Sequence, residues 1–203
     1  MELCFGAQDV RVIEESQTFA GYFSVRRVSL QHRLFAGGWS DPLSREVFER
    51  GDAVGVLPWD PVSDELIMLE QFRVGAMRGT DSPWMLELVA GVVEDGESDA
   101  EVARREAVEE AALEIQQLQP VARYYPSAGA CSEQVRLFIG KTTRPAVAGI
   151  HGCSDEGEDI KVHVLPREQA LELLAAGKIL NGHSLITLQW LQIHGLDLRE
   201  RWR

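Results

Sequence analysis

Residues 91–113 read GVVEDGESDAEVARREAVEEAAL. The opening GVVEDGE is a glycine-broken acidic loop. Ser98-Asp99-Ala100-Glu101 then fits a capping box, in which the Ser side chain and Glu101 satisfy free N–H groups at a helix start. Ala100, Ala103, Ala107 and Ala111 recur at helical spacing and give a small-residue face that can pack closely on a sheet. Glu106 stands four residues before Glu110 and three before Glu109, so a helix puts these carboxylates on one face. Like charges at that spacing cost roughly 0.2–0.5 kcal/mol per pair. Arg105 reaches Glu109 at i,i+4, and Arg104 is near. A divalent cation offsets the repulsion better, because Mg²⁺ favours carboxylate oxygen. A solvated face laced with ion pairs is the competing reading of such a pattern. Glu94, Asp95 and Glu97 weigh against it by concentrating acid at the same end of the helix. The oxygen-ligand spacing of an EF-hand is absent.

On the N-terminal side, 53–58 (AVGVLP) reads as a buried strand, 58–64 as a turn, 65–72 (ELIMLEQF) as the second arm of a hairpin, and 84–90 (WMLELVA) as another strand. Further out, 9–16 and 20–30 alternate as half-buried strands do, and 45–50 reads as a further short strand. On the C-terminal side strands are expected at 121–125, 134–140 and 160–165, and helices at 167–177 and 184–194. The fold class is therefore α+β, with an antiparallel β lobe over 1–50 ahead of a strand-helix-strand domain over 51–203.

The chain has 203 residues, 45% hydrophobic and 26% charged, an ordinary globular balance. Its formal net charge of -12 argues against nonspecific nucleic-acid or anionic-membrane binding, which needs a basic face. The apolar runs are too short to cross a bilayer. The start MELCFGAQDVRVIEES lacks the features of a signal peptide, so a cytoplasmic protein is expected. Cys4, Cys131 and Cys153 form no disulfide framework. Cys153, His151 and His163 are a weak case for zinc, since such residues near strands are more often structural.

The stretch 91–113 resembles the Nudix box, G-x5-E-x7-R-E-U-x-E-E-x-G-U, where U is bulky and aliphatic. Gly91, Glu97, Arg105, Glu106, Glu109, Glu110 and Leu113 fall on specified positions. Ala107 stands at the first aliphatic position and Ala112 replaces the last glycine. Alanine at 112 either extends the helix by a residue or, if the position needs φ > 0, is strained there. The resemblance implies a Nudix fold, a mixed β-sheet sandwiched between helices. It also implies that Glu106, Glu109, Glu110 and the Ala90 carbonyl carry metal, that Arg105 orients the carboxylates, and that Glu97 steadies the loop-helix unit.

FERGDAV at 48–54, EQFRVGA at 70–76, PWMLELVAG at 83–91, SEQ at 132–134, GIHGCSDEGEDIKVHV at 149–164 and LQWLQIHG at 188–195 are similar to the bacterial ADP-ribose pyrophosphatase branch of that family. That resemblance implies a homodimer with exchanged N-terminal strands and an active site shared across it. Arg73 would contact the phosphates or the adenine side. Tyr22 would stack on adenine and Arg45 would reach the ligand. Ser127 and Glu133 would meet the terminal ribose. Glu156 would be the general base, and Glu158 a ligand for an additional metal. The implied chemistry is hydrolysis of ADP-ribose to AMP and ribose 5-phosphate with two or three Mg²⁺, Mn²⁺ being a substitute. Glu156 would orient or deprotonate the attacking water, and residues 152–159 would close as a lid. The rival readings are a Nudix pyrophosphatase for a nucleotide sugar, NADH or a dinucleoside polyphosphate, and a non-catalytic Nudix-fold sensor, which typically loses the box carboxylates.

Overall fold

The computed structural model describes residues 3–79, 82–143, 148–152 and 157–202. Two compact units emerge, Met1–Asp52 with Tyr125–Gln134, and Ala53–Tyr124 with Val135–Arg203.

The first unit holds three antiparallel strands, β1 (Val10–Ala20), β2 (Ser24–His32) and β3 (Leu43–Glu49), in that spatial order. β1 runs on to Ala20, so residues expected to begin the second strand instead end the first and make the turn. The side chains of β1 are exposed throughout, Val12, Ile13 and Phe19 among them. The 125–134 segment joins β3 through Phe48, whose N–H donates to the Ala130 carbonyl at 2.8 Å. The guanidinium groups of Arg11 and Arg33 lie over the Trp39 ring, 3.7 and 4.4 Å from its centre.

The second unit is built on β4 (Ala53–Asp60), β5 (Glu65–Phe72), β6 (Trp84–Glu87), β7 (Val89–Val92), β8 (Gln117–Tyr124), β9 (Val135–Lys141), β10 (Ile150–His151) and β11 (Ile160–Pro166). Among the described residues they form one mixed sheet, ordered β10-β11-β5-β4-β9-β8, in which β4 and β9 run parallel. β4 and β5 pair only at Trp59–Leu66 and Asp60–Glu65. Beyond that they diverge, and β6 pairs with β5 while β7 pairs with β4. The single strand expected over 84–90 is thus broken at Leu88, whose N–H is taken by the Ser184 hydroxyl at 3.0 Å. Pro58 lies inside β4, opposite Gly140.

Strand alternation sends side chains to two cores. Val54, Val56, Ile67, Leu69 and Val162 face α1 (Asp99–Ala111), which contributes Val102, Ala103, Ala107 and Ala111. Leu57, Trp59, Leu66, Met68, Leu137 and Ile139 face α2 (Arg167–Ala175) and α3 (Gly182–Trp202). Helices therefore cover both faces of the sheet, the α/β/α arrangement expected from the sequence. α3 extends well past the anticipated 184–194, because Leu198 and Trp202 continue its buried face beyond Gly195. Among the described residues, no helix is long and apolar enough to cross a membrane.

Candidate active site

The N-terminus of α1 closes as its sequence predicts. Ser98 accepts the Glu101 N–H at 3.4 Å, and Glu101 accepts the Ser98 N–H at 2.8 Å. The alanine face then seats α1 against β7 and β4, which places the acidic face beside the β7 backbone. Gly91 makes that approach possible. A Cβ there would lie 1.6 Å from Glu106 Oε1, so the carboxylate occupies space that only glycine leaves open.

Arg105 organises the acids around it. Its Nε and Nη2 donate to the two oxygens of Glu97, each at 3.0 Å, a bidentate pair. Nη1 donates to Glu106 Oε1 at 2.7 Å and Glu109 Oε2 at 3.1 Å, and Nη2 also reaches the Val92 carbonyl at 3.3 Å. Hydrogen bonding to Glu97 and the nearby carboxylates raise the Arg105 pKa still further above its ordinary value. Arg105 also holds the Glu97 carboxyl below its usual range, and Glu97 accepts the Glu94 N–H at 3.2 Å. Arg104 turns away, toward the Ala100 and Ile115 carbonyls.

Glu110 is 2% exposed and accepts the Ala90 N–H at 3.0 Å. Burial first, and then the charges of Glu106 and Glu158, push its carboxyl up to about 8, against the pull of the Ala90 N–H and Arg73. Burial likewise raises Glu106, with Glu109 and Glu158 adding to it and Arg105 opposing. Glu158 packs against Gly152, where a Cβ would come within 2.9 Å of the Glu158 Cβ.

These carboxylates are close enough to repel one another. Yet among the described residues no three acidic, His or Cys side chains are drawn to one point as a ready metal cluster. Protein donors hold them instead, Arg105 for Glu106 and Glu109, and the Ala90 N–H for Glu110. A buried carboxylate beside like charges is costly unless a cation offsets it. The donor set is all oxygen, which suits Mg²⁺ or Mn²⁺. On chemistry the residues fit a divalent cation.

The other expected residues fall in several places. Arg73, in the second unit, donates Nε at 3.0 Å and Nη2 at 2.8 Å to Glu87 Oε2. In the first unit, Tyr22 is 93% exposed and meets Phe23 edge-on at 4.8 Å. Arg45 is exposed on β3, donating to the Ser44 carbonyl at 2.9 Å. Ser127 is exposed, and its carbonyl accepts the N–H groups of Ala130 and Cys131. Glu133 is buried beside Arg50, with 3.3 Å between Oε1 and Nη1. Among the described residues, Glu133 Oε1 and Arg50 Nε have no hydrogen-bond partner. Burial raises the Glu133 carboxyl, Arg50 opposes, and Asp52 adds to the rise. Glu156 and Cys153 lie outside the described residues. His163 Nε2 donates to Glu70 Oε2 at 2.8 Å, which helps hold the Glu70 carboxyl below its ordinary range.

Sequence reasoning missed Arg50, Glu87 and Asn181. Asn181 precedes Gly182-His183-Ser184, an ordinary N-cap signal. Its bond to Glu87, 94 residues away in the chain, has no local signature.

A family model described as NUDIX domain matches residues 49–186. The ADP-ribose pyrophosphatase of Escherichia coli (strain K12) is 45% identical over 202 residues, covering 100% of this chain and 97% of that protein. The ADP-ribose pyrophosphatase of Haemophilus influenzae (strain ATCC 51907 / DSM 11121 / KW20 / Rd) is 41% identical over 202 residues, covering 98% and 93%. A crystal structure of an ADP compounds hydrolase superposes with a TM-score of 0.67 at 21% identity, over 94% of this chain and 98% of that one, a likeness of fold.

Proposed function

This chain belongs to the NUDIX domain family, and on that premise we propose that it hydrolyses the pyrophosphate of ADP-ribose to AMP and ribose 5-phosphate with Mg²⁺. The observation that carries the chemistry is Glu110, a buried carboxylate set beside Glu106 and Glu158. The substrate is supported by similarity along the whole chain to proteins named for ADP-ribose.

Glu106, Glu109, Glu110 and Glu158, with the Ala90 carbonyl, would hold the metal. Bound divalent cations would neutralise the diphosphate and stabilise charge on the leaving oxygen. Arg105 keeps Glu106 and Glu109 oriented, and Glu97 braces Arg105. Arg73 presents a cation to the substrate. Glu156 takes the proton of a water that attacks phosphorus in line. Tyr22 offers an open aromatic face for adenine, worth about 1–3 kcal/mol by analogy with base stacking in single-strand binders. Arg45 and Ser127 contribute polar contacts. Glu133 supplies a buried acceptor for a ribose hydroxyl, supported by an Oε1 that lies 3.3 Å from Arg50 Nη1 but accepts no hydrogen bond among the described residues. A homodimer with a shared active site belongs to the same reading and is supported by the exposure of β1 along its length.

The test of the base is Glu156→Gln, which should depress turnover strongly while ADP-ribose still binds. Full activity in that variant contradicts the assignment.

A further inference from the structure

We propose that Glu87 and Asn181 are positioning residues that hold Arg73 in the orientation that meets substrate. This rests on the reading of Arg73 as a substrate contact. Glu87 ends β6 and is 3% exposed, so both of its oxygens must be satisfied from within the protein. Oε2 accepts Arg73 Nε and Nη2, with Gln71 Nε2 at 3.4 Å. Oε1 accepts Asn181 Nδ2 at 3.0 Å. Asn181 is itself fixed as the cap of α3, because its Oδ1 accepts the Ser184 N–H at 3.1 Å. The Ser184 hydroxyl then takes the Leu88 N–H, next to Glu87 in the chain. The start of α3, the break between β6 and β7, and the Arg73 guanidinium thus form one hydrogen-bonded chain.

A merely structural ion pair explains this arrangement poorly. Hydrophobic side chains of similar volume often serve stability as well as a buried pair does. Here one partner is 96% enclosed while the other leaves 44% of its side chain exposed. Among the described residues Nη1 has no acceptor, so two nitrogens anchor the group and the third is left to donate outward.

Asn181→Ser tests the idea, because serine keeps a good N-cap but cannot supply the amide donor to Glu87. Glu87→Gln tests it from the other side by removing the charge that holds Arg73. Each variant should raise KM for ADP-ribose by roughly 5–20-fold with kcat within about threefold, as expected when a binding contact is loosened. Arg73→Ala should raise KM at least as much. Asn181→Ser added to Arg73→Ala should change KM no further, since residues that act through one contact are not additive. If folded Asn181→Ser and Glu87→Gln keep the wild-type KM while Arg73→Ala raises it, the positioning role is overturned and the reading of Arg73 stands. If Arg73→Ala itself leaves KM unchanged, both fall. Additive effects in the double variant also overturn the proposal.

Discussion

Ala112 ends α1 with φ of 51° and ψ of 42°, in the left-handed region that glycine adopts without strain. Its N–H returns to Val108 at 3.0 Å and that of Leu113 to Ala107 at 2.9 Å, so the helix stops at the box position rather than lengthening through it. Ala112→Gly should stabilise the protein by about 1 kcal/mol, raising Tm by roughly 2–4 °C, with turnover unchanged. A lower Tm would contradict the strain. Glu110 gives a second prediction at this scale. Its carboxyl holds a proton more tightly in the folded chain, at about 8, than at its ordinary 4.5. For a raised carboxyl, the contributed stability is full below about 4.5 and is lost as pH rises through about 8. In chelator, Tm should therefore fall across that window, and Glu110→Gln should flatten the fall. Added Mg²⁺ should raise Tm more at the alkaline end, where the proton no longer competes.

At the scale of elements, Asp64 ties the β4–β5 turn to both C-terminal helices. It accepts Arg167 Nε and Nη2 at 2.9 and 3.0 Å, Arg199 Nη1 at 3.0 Å and Trp59 Nε1 at 3.1 Å. Burial alone would raise its carboxyl, but these donors and charges outweigh it and hold the group below its ordinary 3.8. Stability from a depressed carboxyl is present above about 3.8 and is lost as pH falls through the folded value. Asp64→Asn tolerates the positive φ of 62° but loses the charge. It should cost about 1–3 kcal/mol in denaturant unfolding near neutral pH, with the deficit shrinking in acid. A constant deficit at all pH values would mean the charge is not what matters.

The elements legible in the sequence were those with local periodicity. The capping box and alanine face of α1 are local, as are the short apolar runs of β4 and β5. The break at Leu88 was not legible, because its cause is Ser184, 96 residues away. Nor was the reach of α3, since Gly195 reads as a stop but sits on the buried face against Leu191. The acidic part of the site could be read because its residues share one helix. The support of Arg73 could not, because β6 and α3 meet only in the folded chain.

For the whole molecule, the proposed shared site predicts complementation. Arg45→Ala and Glu110→Gln subunits, each nearly inactive alone, should regain a substantial fraction of activity when unfolded together and refolded. Mixtures no more active than their parts would place all working residues of a site on one subunit. Hydrolysis of ADP-ribose is best measured as turnover on a panel of ADP-ribose, GDP-mannose, NADH and a dinucleoside polyphosphate, with and without Mg²⁺, the products being separated by chromatography. ADP-ribose should be cut fastest, to AMP and ribose 5-phosphate, and only when the divalent cation is present. Faster cleavage of GDP-mannose or NADH, or unchanged cleavage in chelator, would contradict it.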